Sequence, residues 1–349
     1  MPVQGRLAGL GRRRADSLRS MSSVIDPARR AALVGAQLAA LLADHGGVPV
    51  DPPVGVGTGA AAIDQHGTAW VLAGDRPERS LGAALAWGVR RDASSIHLIA
   101  PSGTGLLARR AAGLAMPIRI SHLEGRTLID AVAEPLPVAN QVPMAHRQFA
   151  ADIVAGGAVP VEEHGVLAGE VAGLEVCRVV DDAGTGAVGL AVGVGAHDRE
   201  TFQVLHGDRP TVEALTDVVQ FVSRHRVGAA PHPLQQLAAS RFLRHRLVAQ
   251  PGLIGMGHLA LVEPPLPRAN LKDEVPCVAY SAADDTLVVC THGVDLDAVP
   301  YACDALQAHP ARACIIVAPH RDVIEVQQRL VAMVSVPTRF VGVAPTEAT

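Results

Sequence analysis

The chain has 349 residues, 49% of them hydrophobic and 18% charged, which suits two or three packed domains and argues against disorder. A net charge of −4 excludes a molecule that binds nucleic acid through its overall field, so any basic site must be local. Lys272 is the only lysine among 30 Lys and Arg residues. Its setting, PRANLKDEVP, fits no Walker-A loop, kinase strand or Schiff-base site, and those classes are excluded.

The cysteines, Cys177, Cys277, Cys290, Cys303 and Cys314, form no Cys-x-x-Cys pair, and three lie in apolar runs. Buried thiols in a reducing compartment are expected. No secretory signal is seen, and no window approaches the ~20 apolar residues of a membrane helix. A soluble, cytoplasmic protein without a membrane partner is the expectation. No motif implies a cofactor, and oligomeric state is not legible.

Residues 1–20 carry Arg6, Arg12, Arg13, Arg14 and Arg19 against Asp16 and read as a basic, disordered extension, with a nucleic-acid-touching arm and a mitochondrial-type leader as alternatives and the start at Met1 or Met21 left open. Residues 21–140 read as an α/β unit. Asp26-Pro27 caps a helix with Val34, Leu38, Leu41 and Leu42 on one face, ended by Gly46-Gly47. Residues 49–67 read as a loop or short strands. Their Gly55-Val56-Gly57-Thr58-Gly59 lacks the preceding strand of a dinucleotide fingerprint. From Ala69 onward, strands at 70–73, 96–100 and 118–120 alternate with helices at 81–89 and 106–114, the order of a parallel sheet with right-handed crossovers.

The same order returns in a second α/β unit, 266–349, with strands at 287–290, 314–317 and 339–343 and helices at 298–307 and 323–334. Ala100-Pro101 and Ala318-Pro319 stand 218 residues apart, and Pro117 and Pro337 stand 220 apart. That fits an internal duplication, and it fits equally the likeness of any two short α/β units. Between them, 141–265 reads as an α+β module: a helix at 144–154, a hairpin, a helix capped by Asp208-Arg209-Pro210-Thr211, a Pro-His-Pro break at 231–233 and a further helix to Leu247. Glu263-Pro264-Pro265-Leu266-Pro267 is the clearest linker. The expected fold is thus α/β, with two small parallel βαβαβ units flanking a central α+β module.

Within that module, LEVCRVV and VGLAVGVGA flank an Asp-Asp-Ala-Gly-Thr-Gly turn, a hairpin signature. Acids at Glu163, Glu170, Glu175, Asp181, Asp182, Asp198 and Glu200 fall in or beside these strands. Carboxylates at strand ends can hold a divalent cation for phosphodiester cleavage, so a metal is possible if the protein is catalytic, with Glu175, Glu170 and Asp198 as candidate catalytic residues. Glu175 is expected half-buried, in need of a partner or a metal. Asp181-Asp182 suit the turn itself.

Between Asp217 and Glu263 there is no acid, while Arg224, Arg226, Arg241, Arg244 and Arg246 close two predicted helices. They read either as a phosphate-contacting face for nucleic acid or as cations that complement helix C-termini. With aromatics at 3%, backbone contact rather than base stacking is the expected mode.

The segment from about Glu163 to Arg226, with GEVAGLEVCRVV, AVGLAVGVGAHDRE and the following helix, resembles an uncharacterised actinobacterial protein family. Its core is similar to the restriction-endonuclease-like or tRNA-endonuclease-like fold. The resemblance implies an acid on one central strand, a place Glu175 can fill, and Asp/Glu-x-Lys on the next. The next strand, Gly189–Gly193, has neither acid nor lysine, so a nuclease-like, nucleic-acid-associated protein lacking that motif is the first expectation. The alternative is a small-molecule or nucleotide-binding α/β protein that uses strand-end loops, with Ser102, Gly103 and Thr104 in one unit and Thr291 and His292 in the other. A non-catalytic structural or assembly partner is the third. Gly-x-Ser-x-Gly is absent, and neither His-x-x-x-His nor a His-Glu pair suggests zinc.

Overall fold

The computed structural model describes residues 26–182, 185–200, 211–227, 232–268 and 274–344. The basic segment 1–20, the Asp208-Arg209-Pro210 cap, Pro231 and Lys272 lie outside the described residues. The architecture is mixed α/β, with three sheets among the described residues.

Helix α1, Pro27–Asp44, starts where expected: Asp26 accepts from Ala28 N at 3.4 Å and proline occupies the first turn. It buries Leu38, Leu41 and Leu42 against one face of a six-stranded sheet. Its strands are β1 Val54–Val56, β2 Gly59–Ile63, β3 Thr68–Leu72, β4 Ser95–Ala100, β5 Ile118–Glu124 and β6 Thr127–Asp130, adjacent in that order. β3, β4 and β5 are parallel and the flanking pairs antiparallel. Gly55–Gly59 lies in the β1–β2 hairpin, with Val56 opposite Gly59, so this run is a turn and not a phosphate loop. Helices α2 Leu81–Val89 and α3 Thr104–Ala111 lie on the other face.

The central sheet has four antiparallel strands where the sequence suggested two. After the short helices α4 Met144–Arg147 and α5 Ala150–Ala155 come β7 Val159–Glu163, β8 Val166–Val171, β9 Leu174–Asp181 and β10 Val188–Val192, in the order β10-β9-β8-β7. The β8–β9 turn is Ala172-Gly173, both with positive φ (47° and 75°), the backbone of a tight hairpin turn that favours glycine. At the β9–β10 turn Asp182 Oδ1 accepts from Thr185 N at 2.7 Å, as its turn chemistry predicts. Helix α6, Thr211–Arg226, packs Leu215, Val219 and Val222 on this sheet.

Helix α7, Ala239–Ala249, grouped above with the central module, packs instead on the C-terminal sheet, where Leu243 and Leu247 meet Cys277, Val288 and Ile315. That sheet runs β11 Ala260–Leu261, β12 Cys277–Ser281, β13 Thr286–Cys290, β14 Ala313–Pro319 and β15 Thr338–Val343, in chain order. Helices α8 Ala298–Ala308 and α9 Glu325–Val331 cover its second face.

The two outer units repeat one topology. Strands β2, β3 and β4 begin at 59, 68 and 95, and β12, β13 and β14 begin 218 residues later, at 277, 286 and 313. Each trio pairs antiparallel and then parallel, and each continues into one more parallel strand. A helix precedes each sheet on its outer face, so α7 takes the place of α1. The inner helices of both units share one core. The segments at Leu114 and Val334 bridge, with Ala115 N donating to Met333 O at 2.7 Å and Ser335 N to Gly113 O at 2.9 Å. Antiparallel contact between equivalent segments is what a two-fold relation between repeats produces.

Candidate functional site

The site grows from the sheet register of the central module. Glu170 on β8 and Glu175 on β9 stand opposite one another across the hairpin, and like charges so placed repel. Glu163 ends the neighbouring strand β7. Cations must therefore be supplied from elsewhere. The close approach of Gly173, where a Cβ would lie 2.4 Å from the carbonyl of Arg241, brings α7 against the turn. Arg241 and Arg244, three apart on that helix, reach the acids together.

Arg241 Nη1 donates to Glu170 Oε1 at 2.5 Å, and its Nη2 pairs with Glu163 Oε2. Arg244 Nη1 donates to Glu163 Oε1 at 3.0 Å, while its Nη2 stands 3.7 Å from Glu170 Oε2. Glu175 is held by three other guanidiniums. Arg178 grips it in a two-point fork at 3.0 and 2.9 Å, Arg199 donates at 2.8 Å, and Arg268 stands 3.8 Å away. Burial alone would raise the Glu163 carboxyl, but Arg241 and Arg244 overcome it and hold its pKa below the ordinary value. Burial likewise opposes the Arg241 charge, and Glu170 with Glu163 more than restore it. For Arg268, burial and the charge of Arg241 push the pKa down.

Among the described residues, Glu163, Glu170 and Glu175 are paired with five guanidiniums, and Glu263 accepts from the neighbouring His164 N. Beside them opens a cleft of about 180 Å³ lined by Glu163, His164, Glu170, Glu175, Arg178, Arg241 and Arg268 with the apolar Val161, Val166 and Pro267. Arg268 Nη1, Arg244 Nη2 and His164 Nε2 are buried without a hydrogen-bond partner. The three carboxylates and three guanidiniums that line the cleft balance, and Arg244 and Arg199 stand outside its lining. The unused N–H groups of Arg268 and His164 are suited to an anion, and a planar guanidinium matches phosphate or carboxylate.

The arrangement corrects two sequence expectations. The arginines 224–246 do not form one exposed face. Arg241 and Arg244 are buried in the cluster just described, and the acids that neutralise them lie 71 to 81 residues upstream. An acid-free stretch of sequence therefore does not mean uncompensated charge in space. Arg226 is buried too. It donates to the carbonyls of Ala172, Leu234, Leu237 and Ala238 at 2.6–3.1 Å, and burial lowers its pKa to about 10. Arg224 is exposed, and Arg246, half-buried, donates to Ala344 O at 3.1 Å.

Of the candidate catalytic acids, the sheet brings Glu170 and Glu175 opposite one another and leaves Asp198 apart. Glu170 and Glu175 are engaged by arginines, and Asp198 is exposed in the helical stretch 196–200, whose Arg199, not Asp198, reaches Glu175. Among the described residues no group of three or more His, Cys, Asp and Glu could hold a metal ion. Of the alternative residues, Ser102 and Gly103 are exposed at the end of β4. Thr104 opens α3, Thr291 is buried with its N–H on Val317 O at 2.9 Å, and His292 is half-buried. These two sets belong to different sheets.

Sequence reasoning missed Arg178, Arg199 and Arg268. Arg178, three residues after Glu175, was the visible signal, since a lone arginine inside an apolar strand needs a partner. Among the described residues no helix is long and apolar enough to cross a membrane. No protein family, curated protein or solved structure matches the chain.

Proposed function

We propose that the protein binds phosphate-bearing ligands of the nucleotide class without cleaving them, and that the central cleft holds the phosphate. The observation that carries this reading is the guanidinium cluster around Glu163, Glu170 and Glu175, with the Arg268 Nη1–H buried and unpartnered. In that role Glu175 is a positioning residue: it holds Arg178 and Arg268, which line the cleft, together with Arg199. Arg178, the most exposed of them with 38% of its side chain accessible, is the group an incoming anion meets first. Catalysis is no part of the proposal, because carboxylates locked in guanidinium pairs are poor ligands for a cation and poor bases for water.

A second reading, association with a nucleic-acid strand, is favoured by one surface feature. Exposed Phe221 lies 4.6 Å from the His225 ring, which stacks on His232 at 4.4 Å, beside exposed Arg224. Rings next to a cation form a small platform for an unpaired base.

Both readings meet in one experiment. Binding of fluorescent mononucleotide, single-stranded and duplex DNA, and RNA is measured across a salt titration, with and without Mg²⁺ or Mn²⁺. Mononucleotide binding that Arg268→Gln weakens at least tenfold supports the cleft. Binding that grows with strand length, falls steeply with salt and is lost in Phe221→Ala supports the second reading. Metal-dependent cleavage would contradict the non-catalytic assignment, and absence of any binding at low salt would sink both.

A further inference from the structure

A pocket of about 160 Å³ lies between the two α/β units, lined by Leu106, Arg110, Leu266, Val275, Asp297 and Tyr301 among others. It sits beyond the carboxyl ends of the parallel strands of both sheets, where β3 runs into residues 73–80, β4 into α3, and β13 into residues 291–297. Open α/β sheets present ligands there.

Two of the residues that line it carry buried, unsatisfied polar atoms. Asp297 is 6% exposed; its Oδ1 accepts from Gly82 N at 3.0 Å, but its Oδ2 has no hydrogen-bond partner. The nearest cations to Oδ2, Arg79 Nε at 3.7 Å and Arg110 Nη1 at 4.0 Å, are out of hydrogen-bond reach, and Arg110 Nε is already committed to Asp304 at 2.8 Å. Tyr301 is 2% exposed and its hydroxyl is also unpartnered. Buried polar groups left without partners are unfavourable, so they call for a donor and a second polar contact. The charges lining the pocket are Glu78, Glu274, Asp295 and Asp297 against Arg79 and Arg110, a net negative wall. Its remaining surface is largely aliphatic and proline. A cavity of about 150 Å³ accepts one benzene-sized molecule.

We infer that this pocket is a binding site for a small amine: a ring-sized apolar body against Leu106, Leu266 and Val275, with its ammonium donating to Asp297 Oδ2 and Tyr301 Oη. The site is independent of the anion cleft, which has the opposite charge preference, although Pro267 lines both.

The test uses the full chain and three probes of one shape: cyclohexylamine, cyclohexanol and cyclohexanecarboxylate, by isothermal titration and thermal shift. The expected result is saturable binding of cyclohexylamine and a raised melting temperature, with the carboxylate bound at least tenfold more weakly. Tyr301→Phe removes only an unpartnered hydroxyl, so it should fold normally and weaken the amine several-fold. Val275→Phe, which fills the pocket, should abolish binding. Amine and carboxylate binding alike, amine binding unchanged in Tyr301→Phe, or no saturable amine binding in the parent chain would each overturn the assignment.

Discussion

Glu170 and Glu175 show how one residue's role is set by its neighbours across a sheet. Facing each other on β8 and β9, the two are held by guanidiniums, Glu170 by Arg241 of α7 and Glu175 by Arg178 of its own strand with Arg199 and Arg268 from further along the chain. Removing one partner of a buried pair leaves the other charge unpaired, at a cost of about 3–5 kcal/mol. Glu170→Gln, which strips Arg241 and Arg244 of one acid, should therefore destabilise the chain by about 3 kcal/mol, read as a lower urea midpoint at unchanged slope. A change within a few tenths would mean the cluster is solvated rather than interlocked. The sequence made Glu175 conspicuous as an acid in an apolar strand. It could not show which cations answer it, because Arg199 and Arg268 arrive from 24 and 93 positions away along the chain.

At the scale of elements, most helices and the parallel strands were readable from periodicity, caps and glycines. The reading failed where apolar character is shared by strand and loop. β1 and β2 fall where the sequence offered a loop or short strands, whereas β7 and β8 were not foreseen and only hairpin pairing reveals them. One consequence of strand order concerns acid stability. His97 on β4 lies between β3 and β5, with Trp70 4.3 Å from its ring and Ser121 Oγ 2.8 Å from Nε2. Burial, helped by the Arg119 charge, lowers its pKa from 6.5 to about 4. The neutral ring is thus favoured by the fold. Its contribution is complete above pH 6.5 and is lost as pH falls toward 4, about 3 kcal/mol in all. His97→Gln should flatten that part of the stability profile. The Glu163 leg, at and below its ordinary value of 4.5, should remain, because a lowered carboxyl pKa loses its stabilisation only as the pH drops further. An identical pH profile in parent and variant would contradict this account.

Over the whole molecule, the repeat is the organising fact. Spacing of 218 residues between two Ala-Pro pairs hinted at it, but sequence could not separate ancestry from resemblance. The repeated strand order and the Leu114–Val334 bridge make the match specific. The halves are tied through a charged core: Asp304, 0% exposed, accepts from Arg109 Nε and Arg110 Nε at 2.8 Å each. Asp304→Asn leaves two buried arginines short of their acid and should cost at least about 3 kcal/mol. Because the inner helices of both units share one core, circular dichroism and Trp fluorescence should lose both units together, at a single lower midpoint. Two separated transitions in the variant would show that the halves hold independently.

The central claim is the proposal that the guanidinium cluster between the middle module and α7 receives an anion, and pyrophosphate binding to the full chain tests it most directly. Titration calorimetry should show saturable binding that weakens as ionic strength rises, at least tenfold weaker in Arg268→Gln, whose Glu175 keeps Arg178 and Arg199 and so keeps its fold. Undetectable binding at low salt, or equal affinity in parent and variant, would mean that the cluster only holds the module to α7.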